Sequence, residues 1–125
     1  MSTQPTIACI DDDPFVREAL EGLLQSIGYT VLPFASAEEF LQSPALLQLS
    51  CLITDMKLGG MSGLQLLRQL AHDGHIIPTI VVTAFGDDQM RDQSLAAGAI
   101  GFLNKPIHEA DLLALLKAAA DRGSP

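Results

Sequence analysis

Carboxylates stand directly after two apolar segments of this 125-residue chain. Asp11 and Asp12 follow one such segment, and Asp55 closely follows another, Cys51–Ile53. If the two segments are neighbouring strands of an open α/β sheet, these side chains meet at the edge where such sheets hold their ligands. A simpler interpretation is that each aspartate caps the turn or helix that comes after it. The pattern predicts an acidic crevice without assigning a role to it.

A crowded set of carboxylates needs a cation. Two carboxylates about 6 Å apart repel by roughly 3 kcal/mol at an effective dielectric of about 20. Oxygen ligands with room for water suit Mg²⁺, or Mn²⁺ in its place, and do not suit zinc. Thr83 and Lys105 end two later apolar segments, and they add a hydroxyl and a fixed cation to the same edge. Such a set can handle phosphoryl groups, because a carboxylate can attack phosphorus to form an aspartyl phosphate.

Five short apolar segments alternate with five segments of helical periodicity. The predicted strands are Thr6–Ile10, Thr30–Phe34, Cys51–Thr54, Thr79–Thr83 and Ile100–Leu103. The predicted helices are Pro14–Ile27, Ser36–Gln42, Gly63–Ala71, Asp87–Ala97 and His108–Ala120. This alternation indicates an α/β fold with a parallel sheet covered by helices on both faces. Right-handed crossovers and five strands favour the flavodoxin-like, doubly wound order 2-1-3-4-5.

Composition narrows the classes of function. Seven basic against fifteen acidic residues give a net charge of −8, which disfavours binding to nucleic acid or to an anionic membrane. No apolar run approaches the ~18 residues of a membrane span, and the first residues, which lack a basic region and turn acidic early, are not expected to be a signal peptide. Cys9 and Cys51 lie in apolar segments and are predicted to be buried and reduced, as in a cytoplasmic protein. We expect one domain over residues 1–125, with its core at about 5–121.

Five segments carry a resemblance to a known family. They are Ile10–Pro14, Thr54–Asp55 with Met61–Gly63 beyond it, Thr83–Ala84, Ala97–Ala99 and Phe102–Pro106. In this order and spacing the chain resembles the CheY-like receiver domain of bacterial response regulators in two-component systems. The segments VREALEGLLQSIGY and FASAEEFLQS further resemble the FixJ-like branch, whose members usually carry a helix-turn-helix output domain. Such an output domain is not expected within this chain.

The resemblance implies a role for each acidic residue. Asp55 would be the phosphoacceptor and Asp12 a direct ligand of Mg²⁺. Asp11 would act chiefly through a water on the metal. The backbone carbonyl of Lys57 would complete the share of the ligand shell that the protein supplies.

The resemblance also implies roles at the ends of the fourth and fifth strands. Thr83 would hydrogen-bond the phosphoryl group, and Lys105 would pair with it. The Lys105–Pro106 bond would be a cis peptide. Phe102 matches the switch aromatic that turns inward when Thr83 moves, although an ordinary core aromatic would look the same in sequence.

The implied function is that of a signalling switch and not of an enzyme. A sensor histidine kinase would phosphorylate Asp55, and the face formed by the fourth helix, fifth strand and fifth helix would change shape. That face would control an output domain, in the same protein or a separate one, and through it transcription. If Leu113 is exposed on the last helix, it would suit a homodimer or an output interface; alternatively, that helix is simply well buried. A stand-alone receiver acting by protein contacts is the other interpretation.

The chain departs from the family pattern after the phosphoacceptor. Leu58 and Gly59 stand where Met-Pro is usual. Loss of the proline removes a rigid φ constraint, so we expect a more mobile loop and a less preorganised metal site.

Three other functions fit less well. A haloacid-dehalogenase phosphatase shares the pattern Asp11-x-Asp13, but Phe15 stands where Thr or Val is expected and a cap domain has no room. A flavodoxin-like cofactor binder needs a phosphate loop, and three aspartates would repel phosphate. A receiver that has lost phosphorylation would lack a site residue, and none is missing.

Overall fold

One five-stranded parallel sheet forms the centre of the molecule. The structure is a computed structural model that describes residues 5–44 and 48–122, so both ends of the domain expected over residues 1–125 lie outside the described residues. The strands are β1 (Thr6–Ile10), β2 (Thr30–Phe34), β3 (Cys51–Asp55), β4 (Thr79–Thr83) and β5 (Gly101–Asn104). They are ordered β2-β1-β3-β4-β5, and every neighbouring pair is parallel. The predicted fold class and strand order are confirmed.

Each crossover contains a helix. The helices are α1 (Pro14–Ser26), α2 (Ala37–Leu41), α3 (Gly63–His72), α4 (Asp88–Ala96) and α5 (Glu109–Arg122). The first four helices begin at side chains that accept a hydrogen bond from the first turn: Asp13, Ser36, Ser62 and Asp87. Asp13 therefore serves as a cap, and Pro14 occupies the first helical position, where a missing N–H costs least.

Both faces of the sheet are buried. Helices α1 and α5 cover one face, where Leu20, Leu24, Leu112 and Leu116 pack on the strands. Helices α2, α3 and α4 cover the other. Cys9 and Cys51 are free cysteines buried in the core that α1 and α5 cover, and their predicted burial is confirmed. Burial raises the pKa of Cys51 to about 12, so this thiol stays protonated at neutral pH.

Two strands have bounds that differ from the prediction. Strand β3 includes Asp55, because Asp55 pairs with Val82 of β4. Strand β5 lies one residue later than predicted and ends with Asn104 paired to Thr83. Strand pairing continues past the apolar residues to Asp55 and Asn104, whereas the apolar pattern alone predicts that each strand ends one residue earlier.

Helix α5 approaches β5 closely. A Cβ at Gly101 would lie within 3.1 Å of three atoms of the Leu115 side chain, so any larger residue there would require Leu115 to move. Leu113 is half-buried and packs on the core covered by α1 and α5. This favours the alternative that α5 is well buried. Among the helices in the described residues, none is both long and apolar enough to cross a bilayer.

Candidate functional site

Three carboxylates lie together at the carboxyl edge of the sheet. Strands β1 and β3 are adjacent, with Ile10 opposite Thr54, so the residues that follow them share one crevice. Each of Asp11, Asp12 and Asp55 offers an oxygen, and these atoms lie within 4.8 Å of one another. Asp11 is 3% and Asp55 7% exposed, whereas Asp12 is exposed to solvent. The acidic crevice that the strand order predicts is present.

Lys105 bridges the two buried carboxylates. Its ammonium nitrogen lies 2.9 Å from Asp11 Oδ2 and 2.8 Å from Asp55 Oδ2. Partial burial by itself lowers the pKa of Lys105, but hydrogen bonds to the two carboxylates and their charges together raise it above its ordinary value. The lysine is therefore a fixed cation, and it offsets the repulsion between Asp11 and Asp55.

Backbone donors hold the second oxygen of each buried carboxylate. The N–H of Asp13 donates to Asp11 Oδ1 at 2.9 Å, and the N–H of Lys57 donates to Asp55 Oδ1 at 3.2 Å. Each carboxylate thus has one oxygen on the backbone and the other on Lys105. Both side chains are oriented before any ligand arrives, which lowers the cost of reorganisation in a reaction.

Thr83 and Phe102 lie on the neighbouring strands. Thr83 is buried at the end of β4, the strand next to β3. Phe102 pairs with Val81, is half-buried and, like Met90 of α4, packs against the buried cluster that includes Val81. Its ring lies 2.6 Å from the position of a Cβ on Gly86. Phe102 is thus outside the carboxylate cluster. The Lys105–Pro106 peptide bond at the end of β5 is cis.

Two contacts of the site were not predicted from sequence. Arg17 in α1 donates from Nη1 to the backbone carbonyl of Asp11 at 2.6 Å. The N–H of Gly86 donates to Asn104 Oδ1 at 2.8 Å, which ties the loop after β4 to β5. Arg17 lies one helical turn after the Asp13 cap, and that phase could have placed it near the crevice. The Asn104 contact joins a loop to the end of a strand and leaves no periodic signal.

The donor set fits a hard divalent cation. Asp11, Asp12 and Asp55 supply only oxygen ligands, and one of the three is open to solvent. Three carboxylates and the single ammonium of Lys105 leave two negative charges. Oxygen-rich, partly hydrated sites of this charge suit Mg²⁺, and the absence of sulfur or imidazole from the cluster argues against zinc.

The chain matches known proteins along most of its length. Residues 7–117 match the model of the family described as "Response regulator receiver domain". Response regulator protein TmoT of Ectopseudomonas mendocina is 42% identical over 116 residues, covering 93% of this chain and 53% of that protein. Transcriptional regulatory protein FixJ of Azorhizobium caulinodans is 38% identical over 115 residues, covering 92% and 54%. The chain spans about half the length of these relatives.

Solved structures agree with the sequence matches. The structure described as FixJ-N superposes with a TM-score of 0.87 at 31% identity, covering 99% of each chain. The response regulator StyR superposes with a TM-score of 0.88 at 40% identity, covering 96% of this chain and 61% of that one. Both the fold and the sequence therefore point to one family.

Proposed function

This chain belongs to the response regulator receiver domain family, and on that premise we propose that Asp55 accepts a phosphoryl group from the phosphohistidine of a sensor kinase. The observation that carries the proposal is the position of Lys105, with its ammonium between Asp11 and Asp55. Transfer of radiolabel from a phosphorylated kinase to the chain tests it. The label should be hydroxylamine-labile, and an Asp55→Asn chain should take up none.

Each side chain has a defined task in the transfer. An oxygen of Asp55 forms the P–O bond while the P–N bond breaks, and the imidazole nitrogen keeps the electron pair. The Lys105 ammonium, already hydrogen-bonded to Asp55, stabilises the negative oxygens of the phosphoryl group. The Thr83 hydroxyl then donates to that group, which biases a two-state equilibrium. The chain acts as a switch, and it assists only its own phosphotransfer and autodephosphorylation.

A metal ion belongs to this proposal. Asp12, Asp55 and the carbonyl of Lys57 would hold Mg²⁺ directly, and Asp11 would act at longer range. When bound, Mg²⁺ neutralises charge on the phosphoryl oxygens. Mn²⁺ has the same preference for oxygen ligands and would substitute.

Replacing Gly59 by proline should tighten Mg²⁺ binding by about two- to fivefold, because it removes conformational freedom from the loop after Lys57. The backbone at Gly59 is outside the left-handed region, and no atom lies within 4 Å of an added Cβ, so a β-carbon has room there. The dissociation constant would be measured by an NMR titration with Mg²⁺. Gly59→Ala is the control with the smaller gain, and an unchanged affinity in Gly59→Pro would refute the prediction.

An apolar groove beside the site suits the kinase. Side chains of α1 and of the segment after β5 enclose about 380 Å³, and its lining includes Phe15, Ala19, Leu23 and Pro106. Lys105 lies at the same groove, so a partner seated there would reach Asp55. Phe15 is 81% exposed, which leaves a large apolar side chain for the partner to cover.

Phe15→Ala should slow phosphotransfer from a cognate kinase by about tenfold, since large aromatic side chains dominate such interfaces. Phosphorylation by acetyl phosphate should keep the rate of the parent chain, because the small donor needs no docking surface. Ile76→Ala serves as the control: Ile76 is 98% exposed but lies before β4, at the opposite end of the sheet. An equal loss with both donors would show that Phe15 acts on the site itself.

The output surface is proposed on α4, β5 and α5. Phe102 and the exposed Leu95 of α4 lie there, and Leu113 contributes little because it is half-buried. The receiver unit proposed for residues 1–125 would control a DNA-binding output domain, in the same protein or a separate one, without contacting nucleic acid itself. It would do so in the cytoplasm. A phosphorylation-dependent homodimer through this surface would appear in gel filtration with a phosphoryl analogue, and an unaltered monomer would exclude it.

A further inference from the structure

The loop from Lys57 to Ser62 is firmly held at its two ends. At the first end, the N–H of Lys57 donates to Asp55. At the other, Ser62 caps α3, and the N–H of Gly63 donates to the carbonyl of Met56 at 2.9 Å. The middle contains two successive glycines, which restrict the backbone least of all residues.

A side chain from another helix holds the middle of this loop. Glu38, in the first turn of α2, accepts a hydrogen bond from the N–H of Met61 at 2.9 Å, across 23 residues of sequence. That hydrogen bond is the main cause of a lowered pKa at Glu38, so the side chain is an anion at neutral pH. The contact therefore links α2 to the segment between the proposed phosphoacceptor and α3.

Gly60 makes room for this contact. A Cβ at position 60 would overlap the carboxylate of Glu38 and meets no other atom among its nearest neighbours. The obstacle is the flexible end of a side chain, so Gly60→Ala would displace Glu38 and leave the backbone in place. The position of the Glu38 carboxylate thus depends on glycine at position 60, although the two residues are far apart in sequence.

We infer that Glu38 is a positioning residue for the phosphorylation site: by holding the N–H of Met61 it fixes the loop that presents the carbonyl of Lys57. The inference rests on the proposed function, because the place of that carbonyl matters only where Mg²⁺ binds. In this chain the hydrogen bond from Met61 to Glu38 partly restricts the conformation of the loop, as a proline in the loop would do by fixing φ.

Removal of the Glu38 side chain gives two separate readouts. In Glu38→Ala, exchange of the Met61 amide hydrogen should become about tenfold faster. The dissociation constant of Mg²⁺, measured by ¹⁵N NMR titration, should rise by roughly three- to tenfold, since groups that orient a ligand shell tune metal affinity. Glu38→Gln keeps an acceptor oxygen and should restore part of both. Glu39→Ala, which removes a neighbouring exposed charge from the same helix, should match the parent chain.

A double-mutant cycle distinguishes a positioning role of Glu38 from a general increase in the mobility of the loop. Gly60→Ala should weaken Mg²⁺ binding in the parent chain and have little further effect in Glu38→Ala, because the side chain that it displaces is already gone. Additive effects would overturn the inference, as would an unchanged Mg²⁺ affinity in Glu38→Ala. Failure of the parent chain to bind Mg²⁺ or to label at Asp55 would instead refute the proposed function, and the positioning role with it.

Discussion

Replacing Lys105 by methionine should slow the phosphorylation of Asp55 by acetyl phosphate about a hundredfold, as expected for loss of a group that stabilises phosphoryl oxygens. The ammonium lies 2.8 Å from Asp55 Oδ2, so it is placed where the transferred group arrives. Methionine has a similar length and no charge. The loss would therefore reflect the missing cation and not an empty space.

Lys105→Met should bind Mg²⁺ at least about threefold more tightly. The Lys105 ammonium, which competes with the metal ion for these carboxylates, is then gone, and the repulsion between Asp11 and Asp55 is no longer offset by it. A slower reaction with a better-bound metal distinguishes loss of a catalytic cation from collapse of the site. Lys117→Met, on the exposed face of α5, is the control for the loss of one positive charge. A phosphorylation rate in Lys105→Met equal to that of Lys117→Met would contradict the role of Lys105.

Gly63→Ala should destabilise the fold by about 2–4 kcal/mol, which is large for a single added methyl group. Gly63 begins α3, and an added Cβ would overlap the carbonyl oxygen of Asp55 and lie 3.1 Å from the Cα of Met56. Both obstacles are backbone atoms, so relief requires α3 to move away from the end of β3. That is where Asp55, the proposed phosphoacceptor, lies, and the phosphorylation rate should fall as well.

Gly22→Ala is the matched control for that prediction. Gly22 is exposed in the interior of α1, and no atom lies within 4 Å of an added Cβ. Alanine there should stabilise the chain by about 0.5–1 kcal/mol, because glycine loses more backbone entropy in a helix. Urea denaturation would measure both variants. A Gly63→Ala chain as stable as the parent would show that the β3–α3 junction can relax.

Much of the fold and the core of the site could be predicted from the sequence. Short apolar segments separated by capped helices leave few ways to wind a parallel sheet. Once β1 and β3 are neighbours, residues that follow them must share an edge, which is why Asp11 and Asp55 meet. The meeting of Asp11 and Asp55 depends on backbone register and on residue type, and the sequence pattern indicates both.

Contacts between irregular segments could not be predicted in this way. The hydrogen bond from Met61 to Glu38 joins a loop to the first turn of a short helix, and no periodicity relates the two positions. The partial burial of Leu113 likewise depends on how α5 packs against the core, which the apolar pattern of the helix does not decide. These contacts and burials are set by three-dimensional packing, and the residue type at each position is compatible with more than one environment.

Mass spectrometry of the chain after incubation with acetyl phosphate and Mg²⁺ tests the central claim most directly. The account predicts one added phosphoryl group, stable in acid and released by hydroxylamine, on the peptide that contains Asp55. It also predicts no label when the metal is chelated. A chain that remains unmodified with Mg²⁺ present, or that carries the group on another residue, would contradict the assignment of Asp55 as the phosphoacceptor.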